Sequence, residues 1–327
     1  MNRNSDPLVS VCIPVYNNEK YIARTLESVA SQTYQNIEII VVDDNSSDNS
    51  LMQIENAVAK LKESGKVQKK FDLSKNKILY TKKIENELSG AARQIDFFAS
   101  KIPELDDFAS KTVYIFHNDK NLGMAGNWNR CMELCRGEYI KLICADDQIH
   151  PSLIEKEVAI MKEYPEVVLV ESDTVFVDDA NRKCGKYPRY GKGLVDGKEI
   201  AEKSILRRDY FGAPLANLVR AISYKKYGGF DPEFSYIVDY DFFMKLACHG
   251  KIYVIREPLN YFCIRNDSNT GEVLGGSKRK TYTEEHIKLV NKYSQELKLS
   301  RVKKTASVLN RKIMNLLGGI YLQIKLR

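Results

Sequence analysis

The chain has 327 residues, of which 43% are apolar and 28% charged. That balance excludes a disordered polymer and leaves room for one large α/β domain with an appendage, or for two domains. A net charge of +7 suits an anionic partner such as a nucleic acid, an anionic membrane or a phosphorylated substrate, and does not choose among them. The basic excess lies mostly in Lys60 to Lys83 and Lys278 to Arg327. No run approaches the roughly 20 apolar residues of a membrane span. The polar start Met1-Asn-Arg-Asn-Ser-Asp-Pro7 has none of the character of a secretory signal, so a cytoplasmic protein is expected.

Leu8 to Val15 is an apolar, β-branched run followed by a polar turn at Tyr16-Asn-Asn18. Tyr21, Ile22, Leu26, Val29 and Ala30 then recur near the helical period. Ile37 to Val42 is apolar at nearly every position and predicts a strand covered on both faces, ending in Asp43-Asp-Asn-Ser-Ser-Asp48. Strand, helix and strand without a hairpin signal imply a parallel βαβ unit. The stretch from about Val58 to Lys111 is set apart as an insertion, with a hint of helix at Ala91, Ile95, Phe98 and Ala99. The alternation resumes with a strand at Thr112 to Phe116, a helix from about Met124 to Cys135, a strand over Glu138 to Ala145, a helix from Pro151 to about Tyr164 and a strand at Val167 to Val170. Seven cysteines, Cys12, Cys131, Cys135, Cys144, Cys184, Cys248 and Cys263, lack zinc spacing and are expected as reduced core thiols.

This pattern predicts an open, mostly parallel α/β sheet flanked by helices, with ligands at the carboxyl ends of its strands. Three features fall on that edge: Pro14 to Asn18, Asp43-Asp44 and Asp146-Asp147. Neither a Gly-x-Gly-x-x-Gly nor a Gly-Lys-Ser/Thr cradle accompanies them, which excludes a dinucleotide or Walker-type site. Two acidic strand tips suit a nucleotide whose base is read by an aromatic and a carboxylate, with a hard cation balancing its phosphates. Ordinary turn and helix-cap roles remain open for these acids, above all for Ser47 and Asp48.

Val9-Ser-Val-Cys-Ile-Pro-Val-Tyr-Asn-Asn-Glu19, Leu26-Glu-Ser-Val-Ala-Ser-Gln-Thr33, Glu38-Ile-Ile-Val-Val-Asp-Asp-Asn-Ser-Ser-Asp48, Asn121-Leu-Gly123, Gly137-Glu-Tyr-Ile140 and Ala145-Asp-Asp147 together resemble glycosyltransferase family 2. This is the inverting, GT-A-fold group that uses nucleotide-sugar donors. The resemblance covers roughly residues 8 to 60 and 112 to 270. It implies a Rossmann-like GT-A domain over 1–275, containing the insertion at about 58–111, and a basic, amphipathic helical extension over 276–327.

The resemblance also implies roles. Pro14 and Tyr16 line the base pocket, Glu19 lies near the donor, Asp44 accepts a hydrogen bond from the base, Asp146 lies by the ribose and Asp147 binds Mg²⁺ or Mn²⁺. Asp239 falls at the catalytic base, with Asp241 as the fallback; Val238 stands where the family places a partner acid. Trp128 replaces a common arginine and is expected in the core or a pocket wall. Arg265 stands near the family's usual histidine, where its guanidinium would fork onto diphosphate oxygens.

The activity implied is a metal-dependent hexosyltransferase of bacterial, non-processive type, acting in cell-envelope polysaccharide synthesis. One sugar would pass from a UDP- or dTDP-sugar to a hydroxyl of a glycan or lipid-linked glycan. The C-terminal helices would pack on the catalytic domain, join a second subunit or rest on the inner face of an anionic membrane. The competing interpretation is a non-catalytic nucleotide- or nucleic-acid-binding protein, although no nucleic-acid-binding motif is present and no nucleic acid is expected.

Overall fold

The computed structural model describes residues 6–67, 70–72, 111–265 and 278–325, with side chains described to residue 314 in the last segment and not at 70–72. Asn266 to Thr270, the helical hint at Ala91 to Ala99 and most of the 58–111 insertion lie outside the described residues. The chain divides into two compact units, residues 1–165 with 217–229, and residues 166–216 with 230–327.

In the first unit, β1 (Val9–Val15), β2 (Ile37–Asp43), β3 (Lys70–Asp72), β4 (Thr112–His117) and β5 (Tyr139–Leu142) form a parallel sheet ordered β3-β4-β2-β1-β5. β10 (Asn217–Arg220) adds to β5 antiparallel and runs into a short helix α6 (Ala221–Tyr227). Every residue of β1 and β2 is buried, as continuous apolar runs in the middle of a covered sheet require. Helices α1 (Ile22–Ala30), α2 (Ser50–Glu63), α3 (Gly123–Leu134) and α4 (Leu153–Glu163) supply the crossovers, with a short β6 (Gln148–Ile149) before α4. α2 takes up the first residues of the expected insertion, so that segment begins as ordinary helix. Gly137 precedes β5 because a Cβ there would meet the Ser10 nitrogen at 2.6 Å and the Leu8 carbonyl at 2.7 Å.

β5 stops at Leu142, opposite Cys12, and does not reach Ala145 as the apolar run suggested. The Ile143 N–H still donates to the Cys12 carbonyl at 2.9 Å. Beyond it the backbone turns, because its carbonyls are taken by a side chain of α1. Lys141, in the middle of this strand, is fully buried and forms a 2.8 Å ion pair with the equally buried Glu157 of α4.

The second unit is built on β7 (Val167–Val177) and β11 (Lys251–Cys263), which run parallel, with β8 (Lys183–Lys186) antiparallel on β7 and β9 (Gly193–Asp196) antiparallel on β11. β7 continues well past Val170. Its next residue, Glu171, is buried within the strand because the Arg189 guanidinium lies 3.5 Å from it. α5 (Gly197–Leu206), α7 (Val238–Ala247), α8 (Arg279–Tyr293) and α9 (Arg301–Lys325) complete the unit. Five cysteines are buried as expected, but Cys144 is half-buried and Cys184 is exposed on β8. The isolated β8 residue has no second layer over it, so the expectation of seven core thiols fails there. Trp128 is buried in α3, in line with a core or pocket-wall role.

Candidate active site

Because β1, β2, β4 and β5 are parallel, their carboxyl ends share one edge of the first unit. Pro14 is buried near the end of β1, while Tyr16, just beyond it, is half exposed at 50%. The loops after β1 and β2 interlock: Asn17 adopts a positive φ of 51°, its N–H donates to Ser46 Oγ, and its Oδ1 accepts from the Ser47 N–H at 2.9 Å. The Asp44 N–H closes the pair by donating to the Val15 carbonyl at 2.8 Å.

Asp44 is buried and ties in the loop after β4. Its Oδ1 accepts from Asn118 Nδ2 at 2.8 Å and from the Leu122 N–H at 2.9 Å, and its carbonyl accepts from Asn121 Nδ2. Asp43 beside it accepts from the Ser46 N–H and lies 2.8 Å from His117 Nδ1 through Oδ2. Its other oxygen, Oδ1, is buried and makes no hydrogen bond among the described residues. Glu19 faces the start of α2, where its Oε2 accepts from the Asn49 backbone at 3.0 Å and side chain at 2.9 Å. Asp48 accepts from the Glu19 and Ser50 N–H groups and from the Ser50 hydroxyl. These bonds outweigh burial and hold its carboxyl below the ordinary value. The N-cap of α2 is Asn49, which makes no side-chain cap bond; Asp48 and Glu19 hold the N–H groups of Ser50 and Asn49, while Ser47, also expected as a cap, bonds Asn17 instead.

Asp146 and Asp147 occupy the turn after β5. Thr25 of α1 fixes it: its hydroxyl lies 2.9 Å from the Ala145 carbonyl and 2.8 Å from the Asp147 carbonyl, sharing one proton between them. Arg24 adds a bond to the Asp146 carbonyl at 3.2 Å. Asp146 is half-buried, and Asp147 is fully enclosed. No group of three His, Cys, Asp or Glu side chains able to hold a metal gathers among the described residues. The donor set here is two adjacent carboxylates, all oxygen. Oxygen donors of this kind are the ones a hard cation takes.

The second unit carries a different kind of site. Asp239 is half-buried in the first turn of α7, and its Oδ1 accepts from the Tyr240 N–H at 2.8 Å. Burial, and then the negative charge of Asp209, push its carboxyl up to about 7 against that hydrogen bond. Asp209 is itself raised by burial, against the N–H groups of Phe211 and Gly212. Glu171 is pushed up to about 8 by burial, which outweighs the lowering by Arg189, with Asp209 adding to the rise. Arg189 spends its other donors on the carbonyls of Ser172, Tyr210 and Phe211 and on Thr174 Oγ1. Burial thus raises three acids of this unit, and the charge of Asp209 adds to the rise of the other two.

Asp241 is fully buried and already committed. Lys292 Nζ lies 2.8 Å from its Oδ1, and the Tyr293 hydroxyl donates to the same oxygen at 2.9 Å. Lys292 also reaches Asp231 of the Gly228-Gly-Phe-Asp231 loop at 2.7 Å. The Glu285 carboxylate accepts from the N–H groups of Ser235 at 2.7 Å, Tyr236 at 2.9 Å and Ile237 at 3.2 Å, the three residues that lead into α7. α8 thus clamps the whole approach to Asp239. Arg265 is half-buried just beyond the end of β11. Sequence reasoning missed Thr25, Arg189, Asp209, Glu285 and Lys292, and only the Asn118-Asp-Lys-Asn121 segment carried a local signal, next to the Asn-x-Gly motif.

A profile described as Glycosyl transferase family 2 matches residues 10–94 and 99–209, more than half of the chain. The chain belongs to that family. This family 2 glycosyltransferase is 25% identical over 249 residues to an uncharacterized glycosyltransferase of Haemophilus influenzae, covering 75% of this chain and 61% of that one. It is 24% identical over 300 residues to the chondroitin synthase of Escherichia coli, covering 91% of this chain and 34% of the other. The chain spans about three fifths of the length of the first of these relatives. Among solved structures, Staphylococcus aureus TarS 1–349 in complex with UDP superposes with a TM-score of 0.58 at 18% identity, over 92% of this chain and 69% of that one. The mannosyltransferase PcManGT of Pyrobaculum calidifontis, in complex with GDP-Man and Mn²⁺, gives a TM-score of 0.57 at 12% identity, over 97% and 74%. Both likenesses establish the GT-A fold of this glycosyltransferase.

Proposed function

We propose that this glycosyltransferase moves one sugar from a nucleoside-diphosphate sugar to a hydroxyl of a glycan or lipid-linked glycan, with inversion at the anomeric carbon. The observation that carries the donor half is the convergence of the loops after β1, β2 and β4 on Asp43 and Asp44, on the same strand ends as the Asp146-Asp147 turn. Pro14 and Tyr16 line the base pocket, and Asp44 accepts the ring N–H of uracil or thymine. Its Oδ2 is the oxygen for that contact, since Oδ1 is spent on Asn118 and Leu122. UDP and UDP-GlcNAc bound to TarS support a uridine donor.

Asp146 takes the ribose side and Asp147 is the ligand for Mg²⁺ or Mn²⁺. When bound, the cation neutralises charge on the departing diphosphate. Arg265 is the residue for diphosphate oxygens, onto which a guanidinium can fork. Asp239 removes the proton from the acceptor hydroxyl, whose oxygen forms the new bond to the anomeric carbon as the bond to the diphosphate oxygen breaks. A carboxyl raised to about 7 is matched to proton transfer at neutral pH. Asp241 is left out of the chemistry because Lys292 and Tyr293 already saturate it.

A thermal-shift screen of UDP, dTDP and GDP and their sugars with Mn²⁺ tests the donor half, since a ligand that binds only the native state raises its stability. A uridine or deoxythymidine compound is expected to raise Tm, and less so after chelation. No response to any nucleotide with Mn²⁺, or an undiminished response after exhaustive chelation, would overturn the donor site or the metal role respectively.

A further inference from the structure

α9 docks in reverse. Its inward face is polar: the buried Ser307 donates to the Ile205 carbonyl at 2.7 Å and lies 3.0 Å from His286 Nε2, Asn310 donates to the Arg207 carbonyl at 2.6 Å, and the buried Arg311 reaches the Tyr282 hydroxyl at 3.2 Å. Its outward face is apolar. Val302 is 77% exposed, Leu309 57% and Ile313 45%, and their spacings of seven and four place them on one side of a 3.6-residue helix. Alongside runs a cleft of about 380 Å³ between α8 and α9, lined by Ile287, Val290, Val308 and Leu309 together with Lys304 and Lys312.

The charge is as lopsided as the hydrophobicity. Residues 301–327 contain seven Lys and Arg and no Asp or Glu. Since the excess of cations over acids in the whole chain is also seven, the first 300 residues are electrically balanced. A second copy brought against this face would set like charge against like. An anionic lipid surface complements both the stripe and the lysines. At 25 residues α9 extends about 37 Å, yet no described helix is long and apolar enough to cross a membrane.

We propose that α9 is a membrane-docking helix that lies along a bilayer of anionic phospholipid, with Val302, Leu309 and Ile313 in the acyl boundary and the exposed Arg301 and Lys312, beside that stripe, at the headgroups. This would bring the enzyme to an acceptor carried on a lipid, although the docking does not depend on the proposed chemistry.

Sedimentation of the full chain with vesicles tests it. Wild type is expected to pellet with mixed phosphatidylcholine and phosphatidylglycerol, about tenfold or more strongly than with phosphatidylcholine alone, and less as salt rises. Leu309→Glu with Ile313→Glu should lose that binding about tenfold, as should Arg301→Glu with Lys312→Glu. All four side chains lie at or near the surface, so an unchanged melting temperature confirms that the variants fold. Equal pelleting of wild type and variants, or no binding of wild type to mixed vesicles, would overturn the proposal. So would a wild-type dimer that ignores vesicles and becomes monomeric in the first variant.

Discussion

Two clusters of acids, one in each unit, are treated in opposite ways. In the first, Asp43, Asp44 and Asp48 are surrounded by N–H and O–H donors and serve as anchors that hold three loops in register. In the second, Asp209 acts on Glu171 and on Asp239 through its charge, and burial raises all three. The same residue type is made into a fixed acceptor by one environment and into a proton-exchanging group by the other. The proposed transfer would use the first cluster to hold the donor and the second to take a proton.

The contrast breaks most visibly at Asp239. Asp239→Asn is expected to lower kcat by about 10²–10⁴ while the thermal response to the nucleotide is kept; turnover near wild type would remove the base assignment. Next comes the clamp. Glu285→Gln leaves one acceptor oxygen for three N–H groups, and a misplaced base costs between about 10- and 100-fold in kcat, with the donor KM unchanged. A matching rise in donor KM would instead show general unfolding. In the first unit, Asp44→Asn should weaken nucleotide affinity by about 1–3 kcal/mol, measured by titration calorimetry, and leave the pH profile alone.

The acid limb of kcat should rise with pH through about 7 as Asp239 ionises, and Asp209→Asn should move that limb to lower pH by removing a neighbouring negative charge. The smallest effect is on stability. Glu171 has a folded pKa of about 8, above its ordinary 4.5, so the native state binds more protons than the unfolded chain between those values. Its contribution is present at low pH and lost as pH rises through about 8. Between pH 6.5 and 8.5 Tm should therefore fall, and Glu171→Gln should flatten the decline. Below that window His286, held down to about 3 by burial and then by Arg311, works the other way: its contribution is lost as pH falls from 6.5. A rise of Tm with pH above 6.5 would contradict the assignment.

How much of this was legible in the sequence depended on how local its cause was. β1 and β2 announced themselves because central parallel strands must be apolar throughout, and the family motifs lie at their ends. The end of β5 was misjudged because the turn is set by Thr25, some 120 residues away, and a hydroxyl meeting two carbonyls leaves no local trace. β7 was cut short at Glu171 because its partner Arg189 is invisible from the strand itself. Glu285 and Lys292 looked like ordinary charges on an outer helix, although each bonds residues about 50 positions away. The partners of Asp241, the fallback base, were equally out of view, since Lys292 and Tyr293 lie about 50 positions away.

The bonds from α8 also bear on how this enzyme could be re-engineered. Exchanging residues 230–237 with those of a relative would break contacts outside the segment, since the N–H groups of Ser235, Tyr236 and Ile237 are held by Glu285 and Asp231 by Lys292. A loop transplanted alone would arrive without its counterpart. Chimeras should therefore exchange the loop and α8 together.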